Sequence, residues 1–228
     1  MSRWLFLIVF FFSAACTNDY VIQKNKTDFA DIYKNILFRY LDTNKEKISP
    51  HKTAYNKRWL SQFNQPIIGL SSPNHQEQAT LVALGNQNDQ LTWVSADGIS
   101  VSFKNGVLIA TRGYSQDLIE SRHNDLDSLF TQDTKKRSKI FRYLNGQNGY
   151  SEIEFSCSVV SKAKTTSFLI DLKLRTTKFT EYCSAGTSKH TNEYYVLPNT
   201  NIILKSKQWI SEANGYIDVY NYYAFQNN

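Results

Sequence analysis

LTWVSADGISVSFKNGVLIAT, residues 91–111, decides the fold. Leu91–Ser95, Ile99–Phe103 and Val107–Thr111 are three short runs of β formers, and the middle one alternates strictly between apolar and hydroxyl side chains. Asp97-Gly98 and Asn105-Gly106 separate them. Asx-Gly pairs supply the left-handed dihedrals that tight hairpin turns need, so the stretch predicts a β-meander with one face on a core.

The same grammar extends in both directions. Upstream, Pro66–Ser71 and Gln78–Gly85 read as strands. Downstream, strands are expected at Lys139–Leu144, Tyr150–Val160, Ser167–Leu174, Thr176–Cys183, Glu193–Leu197, Asn201–Lys205 and Tyr216–Phe225. Asn145-Gly146, Asn148-Gly149, Ala185-Gly186 and Asn214-Gly215 punctuate them. Tyr114–Phe130 has weaker periodicity and reads as a loop or short helical turn over the sheet. The fold class is therefore mainly β: a single antiparallel domain, a flattened barrel or a sandwich, over residues 27–228. Exposed strand edges must be closed or paired, so a homodimer that joins edges is compatible with this reading.

One helix precedes the strands. Phe29, Ile32, Tyr33, Ile36, Leu37, Tyr40 and Leu41 recur at helical spacing and form one apolar stripe, with Thr27 or Asp28 as N-cap. The stripe is expected to pack on the domain core.

The first residues carry an address. Arg3, the nine apolar residues Trp4–Phe12 and then Ser13-Ala14-Ala15-Cys16 form a secretory signal. The apolar run is too short to span a bilayer, which takes about 20 residues. Small residues directly before a cysteine match the lipobox, in which the thiol is acylated after cleavage. Residues 1–15 are thus read as signal, Cys16 as the lipid attachment point and residues 16–26 as a polar tether, an ordinary signal peptide cut nearby being the alternative. Several acyl chains on one cysteine hold a protein on a membrane without crossing it. Thr17 follows the cysteine, where an Asp would retain a lipoprotein at the inner membrane. The expected location is the outer membrane, facing the periplasm.

Charge excludes little. Lys and Arg total 26 against 20 Asp and Glu, and the signal removes only Arg3 from that balance. Nucleic acid is a poor partner for an exported chain. The densest basic run, Lys135-Lys136-Arg137 with Lys139 and Arg142, reads as a solvated loop, with a patch for acidic lipid or polysaccharide as the alternative. Cys157 and Cys183 remain as an even pair in an oxidising compartment, so a disulfide is expected, two buried free thiols being the alternative. His51, His75, His123 and His190 are scattered without ligand spacing, so no metal site and no cofactor is expected.

No nucleophile elbow, phosphate loop or His-Glu-x-x-His motif occurs, and no catalytic residues are assigned. Arg112 and Asp117 flank the turn through Gly113; such a pair either fixes the turn or binds a sugar hydroxyl or carboxylate. Trp93 and the tyrosines 194, 195, 216, 220, 222 and 223 either build strands or offer ring faces to sugar. Paired carboxylates for a polysaccharide hydrolase would have to come from Asp117 with Glu120 or Asp125, in a segment that reads as a surface turn.

The stretch Leu91–Leu118, with Trp93, Asp97-Gly98, Asn105-Gly106, Thr111-Arg112-Gly113 and Asp117-Leu118, resembles the YjbF family of group 4 capsule polysaccharide lipoproteins. The lipobox, the helix from Phe29, and Gln208-Trp209 followed by Asn214-Gly215 fit the same family. The resemblance implies a β-rich outer-membrane lipoprotein without enzymatic chemistry, acting as an accessory factor in secretion or assembly of capsule or exopolysaccharide. Implied partners are the membrane, polysaccharide-export proteins of the envelope and the polysaccharide itself. A carrier module for lipid or a lipid-linked glycan is the alternative, because a helix over a curved sheet can enclose an apolar cavity.

Overall fold

The computed structural model describes residues 63, 65–72, 77–87, 90–124, 126, 129–130, 136–145, 149–169 and 172–225. The signal, Cys16, the tether and the expected Phe29–Leu41 helix lie outside the described residues.

Twelve strands follow one another. They are β1 (Ile67–Ser72), β2 (Glu77–Gln87), β3 (Gln90–Val94), β4 (Ser100–Lys104), β5 (Val107–Arg112), β6 (Leu118–His123), β7 (Arg137–Leu144), β8 (Tyr150–Leu169), β9 (Leu172–Ala185), β10 (Ser188–Val196), β11 (Ile203–Ser211) and β12 (Gly215–Tyr220). A 3-10 turn, Tyr222–Phe225, follows the last. They form one sheet in the order 5-4-3-2-1-12-11-10-9-8-7-6. Every described pairing is antiparallel, and β1 pairs with β12, Gly69 opposite Tyr220. The sheet therefore curls into a nearly closed up-and-down barrel whose seam falls between β5 and β6, consecutive in sequence. Closure removes the exposed edges that a flat twelve-stranded sheet would present.

The 91–111 meander forms as its sequence dictates, with Trp93 opposite Val101 and Val101 opposite Thr111. Asn105 and Gly106 take φ of 50° and 77° in the second turn. The dihedral favours glycine at Gly106; a Cβ there would lie 2.6 Å from Cδ1 of Ile203, whose side chain would have to shift.

Three segments differ from the sequence reading. The strand expected over Tyr216–Phe225 ends at Tyr220, and Tyr222–Phe225 forms the 3-10 turn instead. Leu118–His123 is strand β6 and not a loop: Leu118 and Ser121 turn inward, and the segment pairs with β7, Ser121 opposite Phe141. Its polar composition hid a strand that buries few side chains. Ser167–Leu174 is not one strand either; it straddles the apex between β8 and β9, whose register closes at Leu169 opposite Leu172.

Because successive strands alternate in direction, the connections alternate between two ends. One end carries the turns through 95–99, 113–117, 186–187 and 212–214. The other carries Phe63, where the N-terminal part of the chain enters, the 105–106 turn, the β8–β9 apex, the 197–202 loop and the 3-10 turn. The interior is filled by inward positions such as Leu81, Val101, Phe141, Phe155 and Ile217. At the entry end Ile67, Leu169, Leu204 and Tyr222 form a separate buried group. No described helix is long and apolar enough to cross a membrane.

Candidate functional site

Three places concentrate polar chemistry. The first is the seam. Thr111 Oγ1 donates to Asp117 Oδ1 at 2.9 Å and accepts from the Leu118 amide at 2.9 Å. Asp117 also accepts from the amides of Gly113, at 2.9 Å, and Tyr114, at 3.1 Å. Arg112 Nη1 donates to the carbonyls of Thr111 and Leu118, not to Asp117. The two residues read as a pair thus perform the structural task separately, holding β5 to β6 where no ladder does. Glu120 pairs with Arg142 at 3.0 Å, and Asp125 lies outside the described residues.

The second place is the barrel interior. Cys157 and Cys183 are opposite each other and joined by a disulfide. The same row continues to Arg137 on β7 and His190 on β10. One carboxylate organises the polar groups beside it. Glu181 Oε2 accepts from Lys139 Nζ at 2.5 Å, Asn192 Nδ2 at 3.0 Å and the Tyr194 hydroxyl at 3.3 Å. Burial alone would raise its pKa, but the charge and hydrogen bond of Lys139 hold it below the ordinary carboxylate value. Burial, then the Lys139 charge, lowers His190 to about 4 and His123 to about 3, so both rings are neutral. His190 stacks on Trp209 with centroids 4.3 Å apart, and neither of its ring nitrogens has a partner among the described residues. Burial and the Glu181 charge raise Tyr194 well above its ordinary value.

The basic run is thereby corrected. Arg137 and Lys139 are not on a solvated loop but point into the barrel, at 7% and 2% exposure. Alternation along β7 sends every second residue inward, and Glu181 compensates Lys139 once it is there. With the sulfurs bonded to each other and Glu181 at 0% exposure, the cluster is closed to any polymer. Sequence reasoning missed Glu181, Lys139, Asn192 and His190 as a group. Their signal was parity: His190, Asn192, Tyr194 and Val196 occupy the inward positions of one strand.

The third place is open. A cleft of about 320 Å³ sits at the entry end, between the 105–106 turn and the 3-10 turn. Ile68, Leu91, Trp93, Phe103 and Val219 give it an apolar floor, and Tyr223 stands at its side. Trp93 meets Tyr223 edge-on at 6.5 Å. Asn105, Ser206 and Asn221 supply polar atoms around it. Beside it Gln208 ties β11 to β5 across the barrel, accepting from the Leu108 amide at 2.8 Å and donating to the Gly106 carbonyl at 2.9 Å. That bridge holds the cleft wall in place. A concave, mostly apolar site of this volume with a few polar groups suits one or two small rings or part of a chain.

Comparison with known proteins fits this architecture to a family. The model of the family described as "Group 4 capsule polysaccharide lipoprotein gfcB, YjbF" matches residues 34–220. The chain belongs to the YjbF family. Its membership makes it a capsule-associated lipoprotein of the envelope, held at a membrane. The crystal structure of the hypothetical lipoprotein YmcC from Escherichia coli (K12) is similar at a TM-score of 0.60 and 16% identity, covering 68% of this chain and 85% of that one. At that identity the likeness concerns the fold. No curated protein sequence matches. Within the YjbF segment quoted above, Gly106 and Asp117 serve the turn and the seam, whereas Trp93 lines the cleft.

Proposed function

We propose that this YjbF-family protein is a non-enzymatic accessory factor in secretion or assembly of a capsule or exopolysaccharide. It is anchored through acylated Cys16 to the outer membrane and faces the periplasm. It acts by binding the polymer in the Trp93–Tyr223 cleft and by meeting polysaccharide-export proteins of the envelope. The observation that carries the reading is the cleft over buried Trp93, with exposed Tyr223 at its side, in a member of a capsule lipoprotein family. Sugar rings present apolar faces to aromatic side chains and hydroxyl edges to groups such as Asn105 and Asn221.

The test is deletion of the gene, with polymer measured in cell extract, on the surface and in the medium. Complementation uses wild type, Cys16→Ala and Tyr223→Ala. Polymer that is made but not surfaced, and restored only by the wild type, is the expected result. Unchanged polymer in all three fractions refutes the reading.

The apolar floor of the cleft favours a second reading, a carrier for lipid or lipid-linked glycan. Native mass spectrometry of protein purified without detergent separates the two. An added mass of lipid size supports the carrier; the bare chain mass in every preparation refutes it.

A further inference from the structure

The β8–β9 hairpin is longer than the barrel needs. β7 leaves β8 at Cys157, and β10 leaves β9 at Thr177. Beyond those points the two strands pair only with each other, as an arm. Register sets its faces. Lys162 lies opposite Phe179, Lys164 opposite Thr177, Thr166 opposite Arg175 and Phe168 opposite Lys173. Alternate residues share a face, so Lys162, Lys164, Lys173 and Arg175 lie on the same side of the arm as Phe168, with Lys173 directly opposite it.

All four cations are exposed, and Phe168 is 66% exposed. None of the four makes an ion pair among the described residues. Between residues 155 and 180 the sequence holds a single acid, Asp171. The other side of the arm carries Leu169 and Leu174, which pack with Ile67, Leu204 and Tyr222. The basic face is the opposite one; at its base Lys162 Nζ lies 5.2 Å from the ring centroid of buried Phe179, and toward the apex it faces outward.

We propose that this face is a second membrane contact, lying on anionic phospholipid. Three observations select a bilayer. The apex is at the same end of the barrel as Phe63, where the chain continues toward its N-terminal part, and the family is one of lipoproteins. Uncompensated cations within a few residues of one another match the negative potential of a lipid surface. Phe168 stands uncovered among long basic side chains, an arrangement in which a ring enters the headgroup boundary while the amines reach phosphate. The arm would fix the orientation of the barrel, with its cleft toward the membrane.

Vesicle sedimentation tests this. The full chain carries Cys16→Ala throughout, so no acyl chain contributes. The probes are phosphatidylethanolamine vesicles with and without one quarter phosphatidylglycerol. Binding to the anionic vesicles is expected, weakening as salt rises. The Lys162→Gln/Lys164→Gln/Lys173→Gln/Arg175→Gln variant should bind them roughly a thousandfold less tightly, at about one kcal/mol per basic residue. Phe168→Ser should weaken binding while leaving the salt dependence unchanged. Lys189→Gln, beside the 186–187 turn at the opposite end, should bind as the parent does. The altered side chains are exposed, so circular dichroism and thermal unfolding should match the parent's. Equal binding to both vesicle types, or undiminished binding by the quadruple variant, overturns the proposal. So does a quadruple variant that keeps vesicle binding but loses affinity for polygalacturonate, which would make the arm a polymer contact. Either failure leaves the secretion role standing, since the deletion measures that separately.

Discussion

Replacing Glu181 by Gln should be among the most damaging isosteric changes in the barrel. Lys139 and Glu181 are 3% and 0% exposed, with 2.5 Å between nitrogen and oxygen. At an effective dielectric of about 20 their gross attraction is roughly 7 kcal/mol. Desolvation of two ions takes back several kcal/mol each, so the intact pair contributes little net stability. Removing one charge is different, because the remaining ion stays buried. The amide introduced by Glu181→Gln would still accept from Asn192 and Tyr194, yet would leave the Lys139 ammonium uncompensated. The expected cost is about 3–5 kcal/mol. For a chain of this size that is a fall in Tm of roughly 6–20 °C. The assay is urea unfolding followed by far-UV circular dichroism for Glu181→Gln, Lys139→Met and the double variant. The double variant should recover at least about 2 kcal/mol relative to the sum of the singles. A Glu181→Gln cost under about 1 kcal/mol, or strict additivity, would refute the reasoning.

Other outcomes follow from the same interior. His190, held at about 4 by burial and Lys139, is neutral when folded, whereas the unfolded ring titrates near 6.5. The unfolded state binds more protons below that value, so stability is full above pH 6.5 and falls by roughly 3 kcal/mol toward pH 4. His190→Phe, which keeps a ring on Trp209, should remove its share of that slope in a plot of unfolding free energy against pH and leave the share of His123, which is lowered to about 3; an unchanged slope counts against the assignment. Reducing the Cys157–Cys183 bond, 26 residues apart, should lower stability by about 3 kcal/mol in denaturant titrations with and without a reductant. Because both cysteines are buried, a maleimide should label the reduced protein only as fast as it opens. Gly106→Ala should cost about 1–3 kcal/mol, from its φ of 77° and the clash with Ile203, and should loosen the cleft; a neutral effect on Tm would argue against the turn geometry.

Much of the architecture was legible because local rules agree with the fold. The Asx-Gly turns around Ile99–Phe103 and the period-two alternation are set by backbone dihedrals and by one buried face, both local properties. Strand β6 was not legible, since LIESRH buries only Leu118 and Ser121 and takes its strand form from pairing with β7. The cleft was half legible: Trp93 stood out, but its neighbours Ile68, Val219 and Tyr223 come from parts of the chain more than a hundred residues apart.

By itself, the sequence determined a β-rich chain, its turns and the motif that marks the family, because each is written within a few neighbouring residues, and the even cysteine pair, because a count suffices for it. Only the tertiary structure decided that the sheet closes, with β1 on β12, for closure is a long-range pairing that alternation cannot encode. The same closure turned Arg137 and Lys139 inward against Glu181 and freed the β8–β9 arm as a basic face. Which side of a strand meets the core depends on what the rest of the chain places there. That physical dependence separates a basic run that looks solvated from one that is buried.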